Sequence, residues 1–268
     1  MKEKEQQQKK ERSPEAKRLY FSVLLALIAL VSMVAASLAW FKIANFTKVY
    51  SMGLDVTSGT NLRFDLDPHE KYEEYVKTLN FAQIADRIKK DKGYDMRTVP
   101  LEPVTTSDYK TFTLEDGTEV SDTSGSYLEF TLHFMATDTM LIHLTSASSA
   151  GKKDGTAVSS SNESLPAAMR ISFTVDGNTF VYDPGMGDDA KTKGKVTTFG
   201  LGDSAHMVLS EKNQMFWLEK YVNKPVVVRV WLEGTDPECT DKLRKADYAI
   251  SLRFVGTDEN NKILDGSR

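Results

Sequence analysis

Histidine is the first residue type to consider for chemistry in this 268-residue chain, which contains only four. The segment His69–Glu73 (HEKYE) begins like the helix of a zinc protease, where ligands four residues apart share one face and the intervening Glu acts as base. Its second ligand position holds Glu73 instead of His, and Pro68 makes the segment a helix start at best. We therefore interpret it as a solvated turn or helical segment.

Two further histidines, His133 and His143, lie on the polar side of two sequence runs that we expect to pair as a hairpin. Two imidazoles across a hairpin could contact a metal, but a zinc site needs three or four protein ligands. His206 has no partner that the sequence identifies. Without a third histidine, a Gly-x-Ser-x-Gly elbow or a phosphate loop, we predict no catalytic residue and no metal ligand.

Acidic loops offer weaker chemistry, because carboxylate oxygens bind Ca²⁺. Two loops are rich in such residues, and these are Asp183, Asp188 and Asp189 in one and Glu233, Asp236, Glu238 and Asp241 in the other. Neither follows the twelve-residue spacing of an EF-hand, so we expect solvated loops and no cofactor, with Ca²⁺ as the alternative. Cys239 is the single cysteine, which leaves a buried thiol or a surface thiol; burial is favoured because an exposed thiol would react outside the cell.

Three aromatic residues close together in the chain suggest a contact surface for a ligand such as a glycan. Phe216, Trp217 and Tyr221 are expected to lie in a loop, where exposed rings could stack against a partner. They support an alternative function, an anchored binding module.

Alternating apolar residues predict strands for most of the chain beyond Lys42. The clearest run is Leu128 to Phe134, which a short link joins to Met140–Leu144, while Asp176-Gly177 predicts a tight hairpin turn. One helix interrupts the strands, with Phe81 to Ile88 at helical spacing and an Asn80–Gln83 capping box. The pattern predicts a mainly β, antiparallel sandwich with one or two short helices, and loops at 146–164 and 183–202.

The N-terminus predicts export. Residues 19–41 contain no charged side chain and are long enough for a membrane span, whereas residues 1–18 carry an excess of Lys and Arg that favours the cytoplasm. Two interpretations remain open: an uncut anchor, or a signal cleaved after Ser37-x-Ala39, so that Trp40 begins the mature protein. An extracytoplasmic domain then follows at 42–256, and a flexible polar tail at 257–268.

The charge balance excludes one class of partner. A net charge of −4, without any concentrated basic region in the folded part, does not suit a nucleic-acid-binding surface. The expected partners are the membrane, through the N-terminal helix, and other copies or surface proteins.

Two stretches resemble a known family. The export segment ending at Ala36–Phe41, with the strand region after it, and the block Val228–Cys239 with the strand Ile250–Phe254 resemble the TasA and camelysin group of Gram-positive surface proteins. The resemblance implies a jelly-roll-like β-sandwich, maturation by a signal peptidase and assembly into extracellular matrix fibres. Camelysin-type members imply a metalloprotease, for which the histidines here give no visible site.

The residues just after the candidate cleavage site suggest how such subunits would assemble. Phe41, Ile43 and Phe46 are apolar and are not obviously needed by the domain's own sheet, so segment 40–47 could add to the sheet edge of a neighbour. The alternative is a simple membrane-proximal connector. The sequence thus predicts a non-enzymatic structural or interaction protein of the cell surface or biofilm matrix.

Overall fold

The computed structural model describes residues 20–32, 50–58, 60–148, 151–202 and 205–264. The chain divides into two units, Met1–Ile43 and Ala44–Arg268. In the first unit, residues 20–32 form helix α1. No helix in the described ranges has the length and apolar character to span a membrane. The residues of the predicted cleavage site and assembly segment lie outside the described ranges, and these are Ser37, Ala39, Trp40, Phe41, Ile43 and Phe46.

The second unit is mainly β, as the alternating pattern predicted. Its described strands are β1 (Tyr50–Ser58), β2 (Leu62–Asp65), β3 (Thr78–Leu79), β4 (Pro103–Val104), β5 (Phe112–Thr113), β6 (Glu119–Val120), β7 (Leu128–Ala136), β8 (Met140–Leu144), β9 (Ala157–Ser159), β10 (Met169–Val175), β11 (Asn178–Tyr182), β12 (Ala190–Lys193), β13 (Val196–Phe199), β14 (Gln214–Leu218), β15 (Lys224–Glu233) and β16 (Asp247–Thr257). The helices are α2 (Phe81–Lys92) and α3 (Leu165–Ala168), with single 3₁₀ turns at Tyr72–Glu74, Pro184–Met186 and Asp241–Leu243.

The strands form two large sheets and one small hairpin. Sheet I has the order β14-β8-β16-β1-β3, with β9 also on β16. Sheet II has the order β12-β13-β11-β10-β15-β7-β2, with β4 also on β15. Strands β5 and β6 form a separate two-stranded hairpin, and Thr113 of β5 also bridges Thr105, just after β4.

Aromatic rings hold the two sheets together. Phe254 of sheet I lies 5.1 Å from Phe134 and 5.5 Å from Phe173, both of sheet II, measured between ring centroids in edge-to-face geometry. Phe64 and Phe216 extend the same cluster around Phe134. Because the inner faces of both sheets share this one core, the arrangement is compatible with a β-sandwich.

Helix α2 confirms its sequence signals. Asn80 and Gln83 form the predicted reciprocal capping box, and Gly93 ends the helix with a left-handed backbone. Ile84, Ala85 and Ile88 are buried against the main core. Local signals sufficed here because capping and helical spacing act within a few residues.

The predicted hairpin at Asp176-Gly177 is confirmed, whereas the one between β7 and β8 is wrong. Strands β10 and β11 pair in antiparallel register, and both turn residues have positive φ. Strand β7 instead lies in sheet II and β8 in sheet I. The short link between them therefore carries the chain from sheet II to sheet I. All five residues of β8 are buried.

The sheets are mixed rather than purely antiparallel. Strand β1 pairs in parallel with β16, β11 with β13, and β4 with β15. The predicted loop at 183–202 contains the β12–β13 hairpin, and the one at 146–164 contains the short strand β9. The predicted flexible tail is partly wrong, because Thr257 is buried in β16 and Leu264 packs against the core.

A small second core covers part of the outer face of sheet II. It consists of five buried residues, namely Val104, Phe112, Tyr127, Val181 and Trp231. The Phe112 and Tyr127 rings stack at 4.1 Å, and Trp231 meets Phe112 edge-on. The chain segment between α2 and β7, residues 93–127, therefore packs as a cap on sheet II. This packing brings the end of α2 close to β7.

Candidate functional site

Two exposed aromatic side chains of the described β unit lie close together in the chain, in β14 and in the link that follows it. Trp217 in β14 is 50% exposed and Tyr221, in the link from β14 to β15, is 54% exposed. The neighbouring Val222 is exposed as well. Exposed apolar groups gathered in so short a segment indicate a contact surface more than scattered surface residues do.

Tyr221 adopts a backbone conformation that bulky residues rarely take. Its φ is +57°, in the left-handed region that favours glycine. The backbone N–H of Tyr221 donates to the carbonyl of Ala136 at 2.9 Å, which fixes the link against the end of β7. Such strain is retained where surrounding contacts over-determine it, and it clusters at functional sites.

Tyr221 belongs to a small cluster of aromatic and cationic side chains. Its ring meets Tyr72 edge-on at 6.5 Å, and the Arg63 guanidinium lies 4.5 Å from the centre of the Tyr72 ring. Lys220 lies over the Tyr221 ring at 5.2 Å. We call these four residues, Arg63, Tyr72, Lys220 and Tyr221, the aromatic corner. Its two rings contact each other and each lies beside one cation, a geometry that stabilises both ring and cation.

Arg63 is fixed by backbone groups as well. Its Nη1 donates to the carbonyl of Tyr75 at 3.2 Å, and to those of Tyr72 and Glu73 at slightly longer distances. This fork ties β2 to the 3₁₀ turn that carries Tyr72. The corner is therefore preorganised, which limits the entropy lost when a partner binds.

The three aromatic residues that the sequence grouped together separate in the fold. Trp217 and Tyr221 are exposed, but Phe216 is only 7% exposed and packs against Phe134 in the core. Because 214–218 is a strand, neighbouring side chains point to opposite faces. Phe216 is thus a core residue, and the prediction that it lies in a loop and contacts a ligand is wrong.

The histidines do not converge. His133 belongs to sheet II and His143 to sheet I, so they are not cross-strand neighbours. His143 is fully buried between Thr257 and Asn213, and burial lowers its pKa, which keeps the imidazole neutral at pH 7. His69 lies 3.5 Å from Asp65. Within the ranges described above, no three or more His, Cys, Asp or Glu side chains are grouped to hold a metal ion.

The two acidic loops meet at an arginine. Arg170 Nη2 lies 3.2 Å from Asp183 and 2.5 Å from Asp236, one carboxylate from each loop. Burial raises the pKa of Asp183, and the Arg170 charge opposes that rise. Nearby Cys239 is free, and burial raises the pKa of its thiol to about 12, so it is not a reactive thiolate.

A second charged cluster was not predicted. Lys92 at the end of α2 contacts Asp122 and Glu129, and Arg229 contacts Glu129 from the neighbouring strand. Alternation in β7 places Glu129 on the face opposite Leu128 and Phe130, but nothing local in the sequence indicates that α2 ends near it. Lys92 and Glu129 come together only in the tertiary structure, where the cap packs on sheet II.

The fold and the site define a β-rich protein with a preorganised, exposed aromatic corner. No protein-family model, no curated protein and no solved structure matches this chain.

Proposed function

We propose that this protein is an extracytoplasmic structural subunit of the cell surface or biofilm matrix, with a jelly-roll-like sandwich that assembles by strand addition. The proposal rests on the edge of β1. This strand pairs along its length with β16, but in the described structure its other edge pairs with β3 only at Val56 and Thr57. An incompletely paired strand edge can accept a further strand through main-chain hydrogen bonds.

The far edge of sheet II supports the same proposal by contrast. The outermost strand, β12, has the sequence AKTK, and Lys191 and Lys193 are exposed. Charged side chains on an edge strand discourage pairing with another chain. The two edges therefore differ: the β12 edge carries exposed lysines, whereas the β1 edge is paired with β3 at only two residues in the described structure.

The apolar segment 40–47 is the proposed donor strand, because it precedes β1 directly in the chain. It carries Phe41, Ile43 and Phe46, and it would begin the mature protein if cleavage follows Ala39. A contact between the N-terminal segment of one copy and the edge of the next is head-to-tail, and such contacts form open filaments when they do not close. Without cleavage, α1 and its flanks would keep the domain at the membrane.

We expect a chain that begins at Trp40 to form concentration-dependent filaments, and one that begins at Lys48 to remain monomeric. The second chain keeps every described strand of the β unit but lacks the apolar donor. Electron microscopy and light scattering on both, at matched concentrations, measure the difference.

A length-matched control separates donor chemistry from chain length. The chain beginning at Trp40 with Phe41→Ser, Ile43→Ser and Phe46→Ser keeps the backbone but removes the apolar side chains, and we expect it to remain monomeric too. Filaments formed by the chain that begins at Lys48 would show that this segment is not the donor.

The aromatic corner favours a second candidate function, binding of a glycan. Pyranose rings stack through their C–H faces on exposed aromatic side chains, and Arg63 and Lys220 offer hydrogen-bond donors beside Tyr72 and Tyr221. A shallow, preorganised surface of this kind suits a polymer held at several repeats more than an enclosed small molecule.

For this candidate we expect Tyr221→Ala to weaken oligosaccharide binding about five- to thirty-fold, which corresponds to about 1–2 kcal/mol for an aromatic anchor. Quenching of intrinsic fluorescence by cell-wall oligosaccharides measures the affinity. Tyr109→Ala is the matched control, because Tyr109 also has a positive φ but its ring packs against Trp231. Equal binding by both variants and the unmodified chain would exclude the corner as a glycan site.

A further inference from the structure

The charged cluster at the end of α2 places an amine between two carboxylates. Lys92 Nζ lies 2.5 Å from Asp122 Oδ2 and 2.8 Å from Glu129 Oε1. The Asp122 carboxyl carbon is one bond beyond Oδ2, so amine and carbon are close to the ~3–3.5 Å separation of reacting atoms. A lysine in contact with both an aspartate and a second carboxylate supplies the groups that an intramolecular amide condensation requires.

The surroundings limit the access of water to the amine and the second carboxylate. The side chains of Lys92 and Glu129 are each 18% exposed, and Asp122 is the more open partner. Tyr127, between Asp122 and Glu129 in the sequence, is stacked on Phe112 and buried in the small second core. Tyr94 lies beside these rings, and its hydroxyl donates a hydrogen bond to the backbone carbonyl of Tyr127.

Arg229 gives Glu129 a separate role from Asp122. Its Nε donates to Glu129 Oε2 at 2.7 Å, on the opposite oxygen from the one that meets Lys92. Glu129 is thus positioned by one cation and aimed at the other, as a proton acceptor for the amine requires.

We propose that Lys92 and Asp122 join through an isopeptide bond, with Glu129 as the catalytic proton shuttle. This covalent modification goes beyond the proposed structural function and does not depend on it. It would tie the end of α2 to the loop that leads into β7, and so close the chain between residues 92 and 122.

The condensation balances without a co-reactant. Glu129 takes one proton from the Lys92 ammonium and passes it to Asp122, and the neutral Nζ attacks the carbon of the protonated Asp122 carboxyl. As the new N–C bond forms, Glu129 takes a second proton from the nitrogen and delivers it to the hydroxyl that leaves when the C–O bond breaks. An ammonium and a carboxylate become one amide and one water.

The starting charges and the product charges both balance. Burial would lower the pKa of Lys92, but hydrogen bonds with Asp122 and Glu129 outweigh it and raise that pKa, so the cluster rests as ion pairs and the reaction starts with proton transfer. After condensation, the neutral amide replaces one ion pair, while the Arg229–Glu129 pair remains intact. No unpaired charge is left, which avoids the penalty of burying a single ion.

The intact mass of the full-length protein tests the proposal. We expect a mass about 18 Da below that of the unmodified chain, the loss of one water, even after complete unfolding. Tryptic digestion should give no cleavage after Lys92, and fragmentation should show peptides joined between residues 92 and 122. A folded protein with the unmodified mass, or a water loss that maps elsewhere, would overturn the proposal.

Three variants separate the bond from an ordinary ion pair. Glu129→Gln keeps Lys92 and Asp122 but removes the shuttle, and Asp122→Ala removes the electrophile; both should show the full unmodified mass with an unchanged circular dichroism spectrum. Lys224→Met is the matched control, because Lys224 contacts Asp176 at 2.8 Å and is expected to have no role in the water loss. Water loss that persists in Glu129→Gln would remove Glu129 from the mechanism, and its loss in Lys224→Met would contradict the assignment.

Discussion

Replacement of Arg170 by Met will lower the free energy of unfolding by about 3–5 kcal/mol at pH 7, because removal of one partner leaves buried charges without compensation. Arg170 is the cation between Asp183 and Asp236, and all three side chains are less than 15% exposed. Its Nη1 also donates to the carbonyls of Ala167 and Met169. Met has a similar length and keeps the apolar packing, so the charge and its hydrogen bonds are what change.

The loss should shrink as the pH falls. Burial already raises the pKa of Asp183, and without Arg170 that pKa rises further. At pH values below this raised pKa, Asp183 of the folded variant binds a proton. In the unfolded chain Asp183 has its ordinary pKa and binds that proton only at more acidic pH. This protonation removes the buried charge and stabilises the folded variant relative to its state at pH 7. Urea unfolding of both proteins at pH 7 and pH 5 measures the difference.

The control is an arginine in an exposed network. Arg97 contacts Asp86 and Asp95 at the surface, where solvent screens the charges. Arg97→Met should leave the urea midpoint nearly unchanged. An Arg170→Met loss that is equal at both pH values would show that packing, not the charge of Asp183, causes it.

Replacement of Phe254 by Ala will remove about 3–5 kcal/mol from the free energy of unfolding, the range for deleting a buried aromatic ring from a core. Phe254 is fully buried, and its ring meets Phe64, Phe134 and Phe173, all of sheet II. The deletion therefore opens a cavity where the two sheets are held together. Denaturant unfolding with unchanged slope measures the effect.

Trp217→Ala is the comparison for Phe254→Ala. It deletes a larger ring, but one that is half exposed, so we expect a change within about 1 kcal/mol. Similar losses in the two variants would contradict the assignment of Phe254 to the centre of the core.

Predictions from sequence succeeded where the signal is local. The capping box of α2 and the positive-φ turn at Asp176-Gly177 depend on residues within a few positions of each other, and both are confirmed. The mainly β character is confirmed as well, because alternation along a strand reports which face is buried. The cleavage site and the donor segment remain predictions.

The same signals could not decide which strands pair. Alternation is identical for a strand that joins its chain neighbour and for one that crosses to the opposite sheet, so β7 and β8 looked like a hairpin. The charged cluster could not be predicted from sequence for a related reason. Lys92 and Glu129 are 37 residues apart and meet only because the cap packs on sheet II.

The sequence by itself determined the strand-rich character, the capped helix and the apolar N-terminal segment, because each follows from short-range periodicity and turn chemistry. Only the tertiary structure decided that Phe216 is buried while Tyr221 is exposed, that Arg170 joins two acidic loops, and that Lys92 meets Asp122. These contacts depend on how two sheets stack and which links cross between them. Burial and pairing over such distances are set by the packing of the whole domain, which no local pattern encodes.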